Sequence, residues 1–157
     1  MNVEYDGSLL YRGQEVNLKK TDRSPTFSDG VFYIPCGEDG HIDRQAVISL
    51  YKKLAATLLT RKAVEFSRIM GVAFTAIRIT GAKTRWGSCN SDRAISFSWR
   101  LVMASDELID YVVVHELSHI IELNHSKRFW AVVGQYIPDF KKRRERLKTI
   151  QKIVDII

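Results

Sequence analysis

The sequence predicts an α+β fold in which a small antiparallel sheet packs on helices. Apolar residues recur at helical spacing over 46–59, whereas residues 74–79 and 94–100 alternate between apolar and polar side chains, as half-buried strands do. The chain has 157 residues, of which 45% are hydrophobic. Because this length and composition are typical of one domain with a substantial core, we expect residues 1–157 to form a single domain.

The first 40 residues predict a short β-rich N-terminal part. Asp6-Gly7 and Arg12-Gly13 are turn signals. Residues 31–34 are aromatic or β-branched, and Pro35 follows them. This pattern predicts a strand that ends at the proline.

A long amphipathic helix is predicted next, between Asp43 and Gly71. The carboxylate of Asp43 can accept hydrogen bonds from the first turn, and Gly71 can adopt the left-handed conformation that ends a helix. One stripe holds the apolar residues Ala46, Val47, Leu50, Tyr51, Leu54, Ala55, Leu58 and Leu59.

Residues 74–100 predict a three-stranded antiparallel meander with a turn at 90–92. In the strand 94–100, side chains alternate between the two faces. One face would carry Ile95, Phe97 and Trp99, and the other Ser96, Ser98 and Arg100.

Three helices are predicted in the remainder of the chain. Ser105 offers an N-cap to a helix that runs from 106 to about Leu123, and Ser126 offers one to a helix that ends before Pro138. Residues 139–157 predict a basic amphipathic helix with a net charge of +4, out of +6 for the whole chain. A solvated face explains this charge at least as well as contact with nucleic acid does.

Composition excludes several classes of protein. No apolar run approaches the roughly 18 residues that a membrane span needs. The N-terminus has neither a basic leader nor an apolar stretch, so we expect no secretory signal. Two cysteines, Cys36 and Cys89, are too few for a disulfide framework, and we expect a cytoplasmic location.

Three of the four histidines fall within eleven residues, and two of them form an H-E-x-x-H motif. In a helix, His115 and His119 project from one face, one turn apart, so that both can bind one metal ion. Glu116 can then hold and deprotonate a water molecule bound to that ion. We therefore expect one Zn²⁺ per chain, or another divalent transition metal, with Glu116 as the catalytic residue.

A catalytic zinc needs a third protein ligand, and His125 is the best placed candidate. It lies six residues after His119, beyond the expected end of the helix. Asn124 can make the turn that brings it back, because Asn tolerates the left-handed conformation. A cysteine or a carboxylate is the alternative third ligand.

Four blocks of sequence together resemble the YgjP-like metal-dependent hydrolases. They are TRWGSC at 84–89, HELSH at 115–119, NHS at 124–126 and FW at 129–130. The resemblance covers about residues 43–148, and the family is related to the SprT-like and WLM zinc metallopeptidases.

The resemblance implies a zincin-like fold with the HExxH helix at the cleft. It also implies that His115, His119 and His125 bind the metal and that Glu116 is catalytic. The strand 94–100 would border the cleft, where zincins commonly align an extended substrate by backbone pairing.

Other residues carry weaker expectations. Arg85, Ser88, Ser98 and Arg100 are candidate substrate contacts near the motif. A buried structural thiol explains Cys89 better than a nucleophile does, because no further histidine is free to activate it. Trp86 is expected in the core, and Phe129 and Trp130 are expected to serve packing.

Three functions remain open on the sequence alone. The first is a zinc peptidase that acts on an extended peptide. The second is a zinc hydrolase of nucleotide phosphoanhydrides, of the nucleoside triphosphate pyrophosphatase type, favoured by Arg85, Arg100 and the clustered basic residues. The third is a protein associated with nucleic acid, either a protease that acts there or a protein with a structural zinc. The partner is accordingly a peptide or a small-molecule substrate, with nucleic acid as the weaker alternative.

Overall fold

The computed structural model describes residues 7–154, and this part of the chain contains seven strands and four α-helices. In chain order the elements are β1 (Ser8–Tyr11), β2 (Gln14–Thr21), β3 (Thr26–Ser28), β4 (Val31–Pro35), α1 (Arg44–Met70), β5 (Ala76–Thr80), β6 (Gly87–Cys89), β7 (Ala94–Ser98), a 3₁₀ helix (Trp99–Met103), α2 (Asp106–Ile121), α3 (Lys127–Tyr136) and α4 (Phe140–Val154). The predicted α+β class is confirmed.

The N-terminal strands form a mixed four-stranded sheet in the order β1-β2-β4-β3. β1 and β2 are antiparallel, and the predicted turn at Arg12-Gly13 joins them with positive φ angles of 50° and 81°. Asp6, part of the other predicted turn, lies outside the described residues. The Arg12-Gly13 turn docks on the 3₁₀ helix, since its two amide groups donate to the carbonyls of Val102 and Met103 at 2.7 and 3.0 Å.

The long helix α1 has the ends that the sequence predicts. Asp43 accepts from the amides of Gln45 and Ala46, and Gly71 adopts the left-handed conformation with a φ of 68°. Its buried stripe reaches the centre of the core, where the ring of Tyr51 stacks on Trp99 at 5.5 Å. Although α1 has 27 residues, no helix in 7–154 combines the length and apolar character needed to cross a membrane.

The second sheet differs from the predicted antiparallel meander. Its strand order is β5-β7-β6, and β5 pairs with β7 in parallel, whereas β6 and β7 are antiparallel. The connection after β5 therefore crosses the end of β7 before the chain enters β6. The side chains of Ser98 and Arg100 hold this connection by donating to the carbonyls of Ala82 and Gly81 at 2.7 and 2.9 Å.

The predicted strand 94–100 is too long by two residues. It ends at Ser98, whose hydroxyl accepts from the amide of Arg100 and caps the 3₁₀ helix. Trp99 and Arg100 therefore leave the alternating pattern, and both are buried. β7 is the central strand of its sheet, so the edge strand beside the cleft is β6.

The three C-terminal helices surround the metal motif. α2 packs against α1, α3, α4 and β6. It starts after Ser105 as predicted, but the Ser105 hydroxyl makes no capping hydrogen bond, and the helix ends at Ile121 rather than near Leu123. Ser126 does cap α3, accepting from the amide of Phe129. The basic helix α4 docks through the buried residues Leu147 and Val154, and residues 155–157 lie outside the described part.

Candidate metal centre

Helix α2 carries two of the candidate ligands and the candidate base. Its sequence is largely apolar, so most of the helix is buried. His115 and His119 lie one turn apart, and their ring centroids are 5.1 Å from each other. Glu116 is 5% exposed, and His119 is 9% exposed. Three polar side chains thus lie in or beside an apolar interior, where they need partners.

His125 joins this group from the segment that follows α2. The imidazoles of His115, His119 and His125 offer ligand atoms that all lie within 4.8 Å of one another. The chain turns because Glu122 adopts an extended conformation, with φ −136° and ψ 111°. The prediction of a left-handed Asn124 is wrong, since the non-glycine residues with positive φ among 7–154 are Arg12, Asp29 and Arg93.

Two hydrogen bonds orient the imidazoles for metal binding. Nδ1 of His119 lies 3.2 Å from the carbonyl oxygen of Glu122, and Nδ1 of His115 lies 3.1 Å from Oε1 of Glu116. Because both partners are acceptors, each Nδ1 is the protonated nitrogen and each Nε2 keeps its lone pair. Partners of this kind hold metal-binding histidines in many proteins. The donor set therefore fits a divalent metal ion such as zinc.

Two aromatic side chains of α3 pack directly against the imidazoles. Phe129 is fully buried and stacks on His119 with a centroid distance of 4.4 Å. Trp130 stacks on His125 at 5.9 Å. The prediction that these residues serve packing is confirmed, and the rings they pack against are the candidate ligands.

The electrostatic surroundings favour neutral imidazole and a protonated thiol. Loss of hydration, with the close approach of the His119 and His115 imidazoles, lowers the pKa of His125 below its usual range. The neutral form, which alone can bind a metal, therefore dominates at pH 7. Burial and the charge of Glu116 raise the pKa of the Cys89 thiol. This half-buried thiol is not activated as a nucleophile, as the sequence predicts.

A cavity of about 520 Å³ opens beside Glu116 and His115. Trp86 and Gly87 form one wall, so Trp86 is only partly in the core and also borders the cleft. A Cβ atom on Gly87 would lie 3.0 Å from Cγ of Glu116. The WGSC block therefore places the edge strand β6 directly against the candidate base, and glycine is the residue that allows this approach.

The four predicted substrate contacts occupy different places. Arg85 lines the cavity beside Glu116, and it also lines a smaller cavity of about 330 Å³ together with Ser88 and Ser98. Ser98 is 1% exposed and Arg100 is 5% exposed, and both side chains bind carbonyls of the connection after β5. Their hydrogen bonds serve the sheet. Of the four, Arg85 lines the cavity beside Glu116, whereas Ser88 lines the smaller cavity.

The sequence interpretation missed two residues of the cleft, Tyr111 and Arg144. Tyr111 packs edge-on against His115 at 5.9 Å, and burial raises its pKa. It precedes His115 by four residues, so helical spacing could have identified it. Arg144 lies over the ring of Trp130 at 5.1 Å, and it lines both the cavity beside Glu116 and a second cavity that His125 lines. Nothing in the sequence connects it with a motif nearly 30 residues earlier.

Three convergent imidazoles and a buried carboxylate on a helix beside an open cleft define the class of the protein as a metal-dependent hydrolase. The chain belongs to the YgjP-like family, since the YgjP-like metallopeptidase domain matches residues 1–150. The match also includes the β-rich N-terminal part, which the sequence resemblance from residue 43 did not reach. Among curated proteins, no sequence matches the chain.

Two solved structures share the zincin-like fold. The metallopeptidase zymogen abylysin of Pyrococcus abyssi superposes with a TM-score of 0.54 at 21% identity, over 59% of this chain and 93% of that one. The metallopeptidase zymogen jannalysin of Methanocaldococcus jannaschii gives a TM-score of 0.51 at 23% identity, over 60% of this chain and 96% of that one. The family match gives the chain a metallopeptidase domain, and the two neighbours show its fold.

Proposed function

We propose that the protein is a zinc metallopeptidase in which His115, His119 and His125 bind the metal and Glu116 is the general base. The observation that carries this assignment is the convergence of three imidazole ligand atoms within 4.8 Å, beside a carboxylate that is 5% exposed. Three nitrogen ligands with one open position are typical of catalytic zinc, whereas structural zinc sites are usually closed and rich in cysteine.

The residues of the chain have distinct tasks in peptide hydrolysis. The bound metal would lower the pKa of a water molecule and polarise the substrate carbonyl. Glu116 accepts the proton of the attacking water and returns it to the leaving amine. The hydrogen bond to the Glu122 carbonyl fixes His119, and the rings of Phe129 and Trp130 limit rotation of the imidazoles they stack on.

We propose an extended peptide as the substrate and β6 as its docking edge. β6 is an edge strand beside Glu116, so its unpaired backbone groups are available to a peptide. The family match and the fold support a peptide over a nucleotide. Both cysteines, Cys36 and Cys89, are free thiols, which supports a cytoplasmic location.

Metal analysis followed by activity assays tests this proposal. We expect one zinc per chain after loading, and hydrolysis of denatured casein but not of a panel of nucleoside triphosphates. A metal content well below one per chain would overturn the site, and cleavage of the nucleotides without cleavage of casein would overturn the peptidase.

The Glu116→Gln variant tests the role of the base, with Glu65→Gln as the matched control. Glu65 lies exposed on α1, so the same chemical change there leaves the site intact. We expect Glu116→Gln to retain the metal and to lose hydrolysis by about 10² to 10⁴-fold. Unchanged turnover in this variant would refute the assignment of Glu116.

A further inference from the structure

The cavity beside Glu116 has a strongly cationic rim. Four basic side chains line it, namely Arg85, Arg144, Lys148 and Lys152. The carboxylate that lines it is Glu116, which lies at the metal centre. The part of the cleft next to the reaction site therefore carries an excess of positive charge.

The cations of α4 in this cavity form one stripe of the helix. Arg144, Lys148 and Lys152 follow one another at intervals of four residues, so they lie on the same face. The buried residue Leu147 docks α4 on the core, and the side chain of Gln151 donates to the Lys83 carbonyl at 2.6 Å. These contacts hold the stripe along the cavity that Trp86 and Gly87 also line.

Two other basic residues of α4 are paired with carboxylates, unlike three of the cations that line the cavity. Arg143 forms an ion pair with Asp139 at 3.0 Å, and Arg146 forms one with Glu107 of α2 at 2.7 Å. Within residues 7–154, by contrast, no carboxylate forms an ion pair with Arg85, Arg144 or Lys152.

Lys148 of the stripe does have a partner, but a weak one. Its ammonium lies 3.0 Å from Glu145, and the two side chains are 63% and 71% exposed. A pair this exposed is screened by water and salt. Lys148 thus remains able to attract a second carboxylate.

The cavity also offers apolar surface. Trp86, Tyr111 and Leu147 line it together with the cations and Glu116. An acidic side chain could rest its methylene groups on these residues while its carboxylate reaches the basic rim. A long flexible Lys or Arg side chain would instead place like charges together.

We propose that this cavity is a specificity pocket for an acidic side chain of the peptide, on one side of the bond that is cleaved. This inference rests on the proposed peptidase function and adds the chemistry of a preferred substrate. The rim supplies several screened attractions, which together favour a Glu over a Gln at the pocket by about tenfold in kcat/KM.

Matched peptides test the pocket. A cleavage site is first identified by mass spectrometry in digested casein, and a peptide around it is made with Glu or Gln at each of three positions on either side. We expect the wild-type zinc protein to prefer Glu over Gln about tenfold at one or more positions on one side. The preference should weaken as NaCl is raised, since salt screens exposed charges.

Variants assign the preference to the rim. In Lys148→Gln/Lys152→Gln, and in Arg144→Gln, we expect the ratio of Glu to Gln cleavage to fall toward one. The control Lys52→Gln/Lys53→Gln removes as many charges as the double variant, at exposed positions of α1, and should keep the wild-type ratio. Equal cleavage of both peptides by the wild-type protein, or the same ratio in all variants, would overturn the pocket alone. Failure of the zinc-loaded protein to cleave any peptide or casein would overturn the peptidase proposal itself, and this inference with it.

Discussion

Replacement of Gly87 by alanine would test how closely the edge strand β6 approaches Glu116, the proposed general base. A Cβ atom at this position would lie 3.0 Å from Cγ of Glu116 and 3.0 Å from the carbonyl oxygen of Ser96. It would also lie 3.3 Å from Cδ1 of Phe97. Two of these distances are shorter than ordinary carbon contacts by several tenths of an ångström.

The expected effect follows from which neighbours can move. Ser96 lies in β7, the central strand, and is paired with Ser88 of β6. Its carbonyl can therefore move away only if β6 and β7 separate. The Glu116 side chain is the neighbour that yields most easily. Overpacking costs about 1–3 kcal/mol, part of which the lower entropy of the unfolded alanine chain offsets by about 0.4–1 kcal/mol. Because shifts of about 1 Å in a catalytic group cost about 10²-fold, we expect kcat/KM to fall 10 to 100-fold.

Casein hydrolysis, metal content and urea unfolding measure the three parts of this expectation. Gly87→Ala should retain its zinc and lose no more than about 2.6 kcal/mol of unfolding free energy, the largest balance of the two terms. Gly81→Ala is the matched control, since a Cβ atom there would meet Nε1 of Trp99 at an ordinary 3.7 Å. Wild-type activity in Gly87→Ala would refute the close approach of β6 to Glu116.

Three further predictions concern the ligands and their supports. Phe129→Ala should lower the unfolding free energy by about 3–5 kcal/mol, because it removes a fully buried ring. It should also speed zinc loss to a chelator, because that ring stacks on His119, a proposed ligand. Val133→Ala, at a buried position of the same helix, should be destabilised without losing zinc faster. Equal rates of zinc loss in the two variants would contradict the proposal that Phe129 supports His119. His125→Ala should bind less than one zinc per chain by elemental analysis, and full occupancy would exclude it as a ligand. The ion pair with Arg12 lowers the pKa of Asp106, so its stabilisation is present above about pH 4 and is lost as the pH falls through the lowered value. Asp106→Asn should therefore lose about 0.5–1 kcal/mol of unfolding free energy, measured with urea at pH 7, and less at pH 3. A difference between wild type and variant that is larger at pH 3 than at pH 7 would refute this pH dependence.

Local chemistry in the sequence predicted the helices and the metal motif well. The caps Asp43 and Gly71 act within a few residues of their own positions, so the sequence contains what determines them. The spacing of His115 and His119 needs only a helix to bring the rings together. The same holds for Ser126, whose hydroxyl caps α3.

Features that depend on distant parts of the chain could not be predicted in the same way. Alternation of apolar residues indicates that a strand has two faces, but not which strand lies beside it, so the parallel pairing of β5 and β7 was missed. Arg100 was a candidate substrate contact on the strand 94–100, which was expected to border the cleft. Its burial follows from a carbonyl of Gly81, which only the crossover connection brings near. The cationic rim likewise depends on where α4 docks.

The docked turn at Arg12-Gly13 has a consequence for how the metal centre assembles during folding. Arg12 pairs with Asp106 in the first turn of α2, across 94 residues of chain. Contacts between residues so far apart form slowly, because a long loop must close first. The helix that carries two of the three proposed zinc ligands is therefore anchored by a contact that is expected to form late. A truncated chain that begins at Asp43 would contain every catalytic motif and still lack the anchor of the helix that presents them.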